Sequence, residues 1–165
     1  MKLRFTPSRK KTVAHCLGVL LTLFALSSAS AQSDTFVGGS FDLEFIGGST
    51  FVALDGQFGD YGLFNSFGAR ATLGIGFIPE IYAKIVGDVL FPFQTTNRDL
   101  IPYAGGGLGI DIDDGVGVNI HALGGVELAA SDRLGLFGEV APGILIRSDV
   151  DAIFGLRFGL NYHLN

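Results

Sequence analysis

The chain has 165 residues, 48% of them hydrophobic, one cysteine and a formal net charge of −5. The charge is unevenly spread: five of the 11 Lys/Arg (Lys2, Arg4, Arg9, Lys10, Lys11) lie at the start, while all 16 acids follow residue 31 with the other six bases. The part after residue 31 is therefore strongly acidic and repels a phosphate backbone, which excludes nucleic acid as a partner, and with Cys16 the only cysteine it holds no disulfide.

The basic start runs into "CLGVLLTLFAL", residues 16–26. An apolar run of this length falls short of the roughly 20 residues that span a bilayer as a helix, and Ala29 and Ala31 supply small residues for cleavage before Gln32. Residues 1–31 are expected to be a cleaved signal peptide, and residues 32–165 one domain exported by it.

Beyond that point the hydrophobic period is two. In "TFVGGSFDLEFI" the residues Val37, Phe41, Leu43 and Phe45 alternate with Ser40, Asp42 and Glu44. "STFVALDG" is a weaker second segment. In "SFGARATLGIGF" an apolar face of Phe67, Ala69, Ala71, Leu73, Ile75 and Phe77 opposes Arg70, Thr72 and glycines. After Pro79, Ile81, Ala83, Ile85, Val89 and Phe91 oppose Glu80, Lys84 and Asp88.

The fifth segment contains "IPYAGGGLGI". A phosphate-binding loop needs GxGxxG or GxxxxGK[ST] opening a helix; here Ile110 occupies the place of the last glycine, no Lys-Ser/Thr follows, and the alternation continues into "DIDDG". Gly105, Gly107 and Gly109 fall on one strand face with Tyr103 and Asp111, where they leave room for bulky side chains from neighbouring strands; no cofactor is expected.

Three more segments follow. Val118, Ile120, Ala122, Val126 and Leu128 oppose Asn119, His121 and Glu127; Leu134, Leu136, Val140, Ile144 and Ile146 oppose Arg133 and Glu139; Phe154, Leu156, Phe158, Leu160, Tyr162 and Leu164 oppose Arg157, Asn161 and His163. Strands are expected at 35–46, 50–56, 66–77, 80–91, 100–112, 116–129, 133–146 and 151–164. The weak second one is included because single-chain bacterial barrels have even strand numbers.

Most of these segments match the 9 to 11 residues a tilted strand needs to cross a bilayer, and exceed the 5 to 6 typical of soluble sheets. Short breaks of turn residues join them as hairpins, with Asp114-Gly115 in "DDG" expected to form a type I′ turn. The fold class expected is all-β, an eight-stranded antiparallel up-and-down transmembrane β-barrel, closed because an open edge is unsatisfied in lipid. The apolar face points outward. With no Trp in the chain, Phe36, Phe77, Phe91, Phe93 and Tyr162 are expected to form the interfacial aromatic belts.

The inward face then carries a charge set of Asp42, Glu44, Arg70, Lys84, Asp88, Glu127, Glu139 and Arg157. A packed ion-pair network is favoured over a gated ion path, because eight strands leave a filled interior and a buried charge demands a partner. Glu127, Glu139 and Arg157, from three successive strands, are expected to pair directly. No catalytic site is expected: His121 has no serine on its face at a spacing a nucleophile needs, and His163 ends the last strand. No metal is expected either, since "DIDDG" lacks the glutamate that closes a calcium loop.

"PYAGGGLGI", "GGVELA", "LGLFGEV" and "FGLNYHLN" resemble the small outer-membrane β-barrel family of OmpX-like proteins and the OmpA barrel domain. The resemblance implies an outer-membrane location and membrane lipids as partners. It also implies a tight periplasmic turn at 131–133 after Glu127, and an insertion signal at Phe158, Leu160, Tyr162 and Leu164 read by the outer-membrane insertion machinery. The chain departs from the family by ending in Leu164-Asn165 instead of an aromatic, and by placing a longer break at the end of the barrel where the family has tight turns. The expected role is structural or envelope-interacting, with no loop ligand identified. A narrow small-solute or ion pore, a lipid-modifying enzyme and a soluble exported ligand-binding barrel are the alternatives.

Overall fold

Strict alternation of side chains over eleven to fourteen residues builds each wall element. In a computed structural model that describes residues 35–64, 67–96 and 99–164, the chain forms β1 (Thr35–Ile46), β2 (Ser49–Asp60), β3 (Gly68–Ile78), β4 (Tyr82–Pro92), β5 (Leu100–Ile112), β6 (Val116–Ala129), β7 (Leu134–Ile146) and β8 (Val150–His163). Each strand pairs antiparallel with its sequence neighbours, and β1 pairs with β8 to close the barrel. The signal peptide expected at residues 1–31 lies outside the described residues.

The second strand is longer than its sequence signal. Expected at 50–56, it extends to Asp60, because the register with β1 continues through Gly39↔Gly56, Gly38↔Gln57 and Val37↔Phe58 to Thr35↔Asp60. Gly56 interrupts the apolar alternation without interrupting the ladder: it faces outward with nothing within 4 Å of where a Cβ would stand.

Turn chemistry sorts the two rims. One rim is made of tight connections, at Gly47–Gly48, 79–81, 113–115 and 147–149. The other holds the first and last strand ends and the connections at 61–67, 93–99 and 130–133. Gly47 and Gly48 have φ of 56° and 87°, the two left-handed residues that a type I′ turn requires. The type I′ turn expected at Asp114-Gly115 is not formed. Gly115 is not left-handed, and Asp113 closes that turn itself, its Oδ1 accepting from the Gly115 amide at 2.9 Å.

Outward positions of the strands hold no Lys, Arg or Glu, and their one Asp is Asp60 at the last position of β2. Leu54, Leu73, Ile75 and Leu108 are 58–62% exposed on this face, large apolar surface that water would penalise. Phe77, Phe91, Phe93 and Tyr162 are exposed near strand ends. Phe36 is not part of that belt: it falls on the even, inward face of β1 with Asp42 and Glu44, is fully buried, and packs on Tyr61 with ring centroids 4.9 Å apart.

Candidate functional site: the charged lumen

Alternation on eight strands brings side chains distant in sequence to one axis. Asp42, Glu44, Asp55, Asp88, Asp111, Glu127 and Glu139 are buried there with Arg70, Lys84, Arg157 and His121. The carboxylates outnumber the Arg and Lys side chains, so each cation serves several acids.

Arg70 is the most fully used. Its guanidinium grips Asp88 Oδ2 through Nε and Nη2 (2.9 and 2.7 Å) and Glu139 through Nη1 and Nη2 (2.9 and 3.0 Å), spanning from β3 to β4 and across the lumen to β7. Glu139 is gripped through both of its oxygens, the two-point pairing that suits a guanidinium, while Asp88 takes both of its bonds on one oxygen. Arg157 supplies the second grip, Nη1 to Glu139 Oε1 at 2.7 Å, with Asp42 Oδ2 at 3.4 Å and Asp55 Oδ2 at 3.7 Å. Lys84 Nζ serves three acids from one point, pairing with Asp42, with Glu44 at 3.0 Å and with Asp55 at 3.1 Å. Tyr82 donates its hydroxyl to Glu44 at 2.8 Å, and His121 Nε2 lies 2.9 Å from Asp88 Oδ1.

Glu127 does not join the Arg157 pair expected for it. The β6–β7 register sets it opposite Phe137, nearer the rim that holds the strand termini, whereas Glu139 lies opposite Arg157 in the β7–β8 register. Glu127 instead accepts from Tyr61 Oη (2.9 Å) and Asn161 Nδ2 (2.6 Å) and contacts His163 Nε2 (2.6 Å). Gln57 extends that cluster by donating to Asn161 Oδ1 at 2.5 Å.

A layer of buried apolar and aromatic side chains, Phe36, Tyr61, Leu90, Tyr103, Leu123 and Ala141, is interleaved with these two polar clusters. Its two tyrosines link them: Tyr61 donates to Glu127, and Tyr103, whose ring centroid is 5.8 Å from that of Tyr61, donates to Glu139 at 3.1 Å. The interior is packed. A cavity among Asp42, Asn119, His121, Ala141 and Arg157 measures about 10 Å³, room for roughly one water. A wider vestibule of about 340 Å³ opens at the terminal rim beside Tyr61, Glu127, Ser131, Asp132 and His163.

Gly105, Gly107 and Gly109 lie on the inward face of β5, and close approach explains at least one of them. A Cβ on Gly107 would collide with the Gly87 carbonyl oxygen and the Asp88 side chain of β4. Phe158, Leu160, Tyr162 and Leu164 form an outward strip at the end of β8, each 44–54% exposed.

Some lumen residues escape a reading by segment. Asp55 and Gln57 lie on the weak second strand, and Tyr61, Tyr82 and Tyr103 act across the barrel, where only register shows their partners. Tyr82 and Tyr103 at inward positions of alternating strands, and Tyr61 just past the end of β2, are the signal the sequence offers.

No protein-family model matches the chain, and no curated protein does. Among solved structures it is similar to Neisserial surface protein A, NspA (14% identity, TM-score 0.69, covering 82% of this chain and all of that one). It is also similar to a de novo designed transmembrane β-barrel (14%, TM-score 0.59, covering 82% and all of that chain). A third is the N-terminal β-barrel domain of Pseudomonas aeruginosa OprF (17%, TM-score 0.55, covering 79% and all of that chain). The fold is thus the eight-stranded up-and-down barrel that these transmembrane proteins share.

Proposed function

We propose that the chain is an integral outer-membrane β-barrel protein with a structural or envelope-interacting role, exported by a signal peptide at residues 1–31. One observation carries this reading: an outer wall without charge between its rims encloses an interior that gathers the buried charges, most of them in ion pairs. A soluble barrel has the opposite economy, because water solvates outward charges at no cost and penalises an uninterrupted apolar wall. Strands of eleven to fourteen residues suit a bilayer, which needs about 9 to 11 tilted residues.

The filled lumen and the Tyr61–Tyr103 layer favour a membrane-embedded body over a pore. The tight turns of one rim leave little chain there for a ligand site. The outward strip Phe158, Leu160, Tyr162 and Leu164 supports insertion by the outer-membrane machinery.

Membrane fractionation of the expressed full chain, with gel mobility compared before and after boiling, tests the reading. Recovery with the outer membrane and a heat-dependent mobility shift are expected. Extraction in buffer without detergent would overturn it.

A further inference from the structure

Seven of the eight strand pairs run without a missing register partner, apart from a bulge between Val52 and Ala53. The β6–β7 pair does not. Its register passes from His121↔Gly143 to Gly124↔Val140 and omits the two pairs between, Ala122 with Pro142 and Leu123 with Ala141. Strand alternation supplies the cause: an antiparallel ladder at this register asks the amide of residue 142 to donate to the carbonyl of Ala122, and proline has no amide hydrogen. Proline in a sheet belongs on edge strands or bulges, yet β7 is flanked on both sides in a closed barrel. Its other ladder, to β8, runs straight past Pro142↔Phe154.

The break lies midway along both strands, and its surroundings do not cover it. Ala122 and Pro142 face outward and are exposed, and the next outward residue of β6 is Gly124, with nothing within 4 Å of where a Cβ would stand. Directly inside, Ala141 of the second omitted pair and His121, which precedes the first, line the water-sized cavity with Asn119, Asp42 and Arg157.

We propose that the β6–β7 seam at Pro142 is a lateral opening point built into the barrel wall, where local separation of the two strands connects the lumen cavity with the outer surface. The carbonyl of Ala122 lacks its ladder donor, so separation there breaks one hydrogen bond fewer than at the same point of an uninterrupted seam, and a low-cost opening sets local exchange. The opening passes water-sized species, as the cavity behind it dictates. This follows from the barrel's own register and holds whether or not the outer-membrane location is right.

Hydrogen–deuterium exchange on the full folded chain in detergent micelles tests it, reading the amides of Ala122, Gly124 and Val140, which point across the β6–β7 seam, against Thr72 and Val86 of the uninterrupted β3–β4 seam. Seam amides are expected to exchange about tenfold faster, the effect of one lost hydrogen bond of ordinary strength. Pro142→Val, which returns the missing donor, brings them down to the β3–β4 level. Equal protection of the two seams in the wild-type protein overturns the proposal, as does a folded Pro142→Val or Pro142→Ala protein whose seam exchanges as fast as wild type. If neither variant folds, the wild-type comparison decides.

Discussion

Glu139 on β7 receives two guanidinium groups at once: Arg157 on the adjacent strand at 2.7 Å and Arg70, from the far wall, at 2.9 and 3.0 Å. One carboxylate thus fastens β3 to β7 and β7 to β8, and it does so with its side chain withdrawn from water. In the dry interior of a narrow barrel, such a group is stabilising only while every partner is present.

Arg157→Leu therefore leaves Glu139, Asp42 and Asp55 short of a cation, and a loss of about 3 to 5 kcal/mol of stability is expected, the range for breaking a buried pair by removing one partner. Urea titration of the micelle-refolded protein measures it. Adding Glu139→Gln to Arg157→Leu should cost less than the two single changes summed, because the second removes a charge that the first left with one of its two cations.

Gly107 and Gly87 lie on adjacent strands one register step apart, Gly107 facing inward opposite Asp88 and Gly87 facing outward opposite Leu108. Gly107→Leu is expected to prevent folding, because its Cβ would strike the Gly87 carbonyl oxygen and leave the backbone nowhere to go. Gly87→Leu points outward into open space and should fold like the wild type. The ratio of folded to unfolded bands after refolding distinguishes them, and equal yields would remove the steric account of the β5 glycines.

How much of this was legible in the sequence depends on which interactions set each feature. Alternation is local, so the inward placement of Arg70, Lys84, Asp88, Glu139 and Arg157 and the outward placement of Phe158 or Leu73 follow from counting by two. Phe36 yields to the same rule: an aromatic near a strand end suggests an interfacial belt, but its even position puts it inside. Partners are another matter. Glu127 and Glu139 both lie inward, and only the stagger between β6, β7 and β8 separates them, giving one to Arg157 and the other to Tyr61, Asn161 and His163. The second strand was faint because its inward face mixes Phe51 and Ala53 with Asp55 and Gln57, so polarity alternates along only part of it.

Leu73 stands midway along β3, 60% exposed on the outer wall. If that wall faces hydrocarbon, Leu73→Arg places a charge near the bilayer midplane and is expected to cost about 2 to 4 kcal/mol, falling to about 0 to 1 for the same change near an interface, such as Val150→Arg beside a tight turn. Guanidinium titrations in lipid vesicles compare the two. A difference that is absent would place water outside the wall.

The lumen geometry makes a specific statement about conduction. Water and ions would have to pass Arg70 and Arg157, both held by Glu139, and then the layer formed by Phe36, Tyr61, Leu90 and Tyr103. The cavity beside Arg157 and His121 measures about 10 Å³, far below what a hydrated ion needs. The purified protein in planar bilayers is therefore expected to give no steady conductance. Ion-selective steps that disappear in Arg157→Ala or Glu139→Ala would show that the network opens as a path, because only a pore lined by those groups loses its selectivity with them. Their absence, with the same protein shown to be inserted by its heat-dependent gel mobility, leaves the ion pairs as the structural core of a closed barrel.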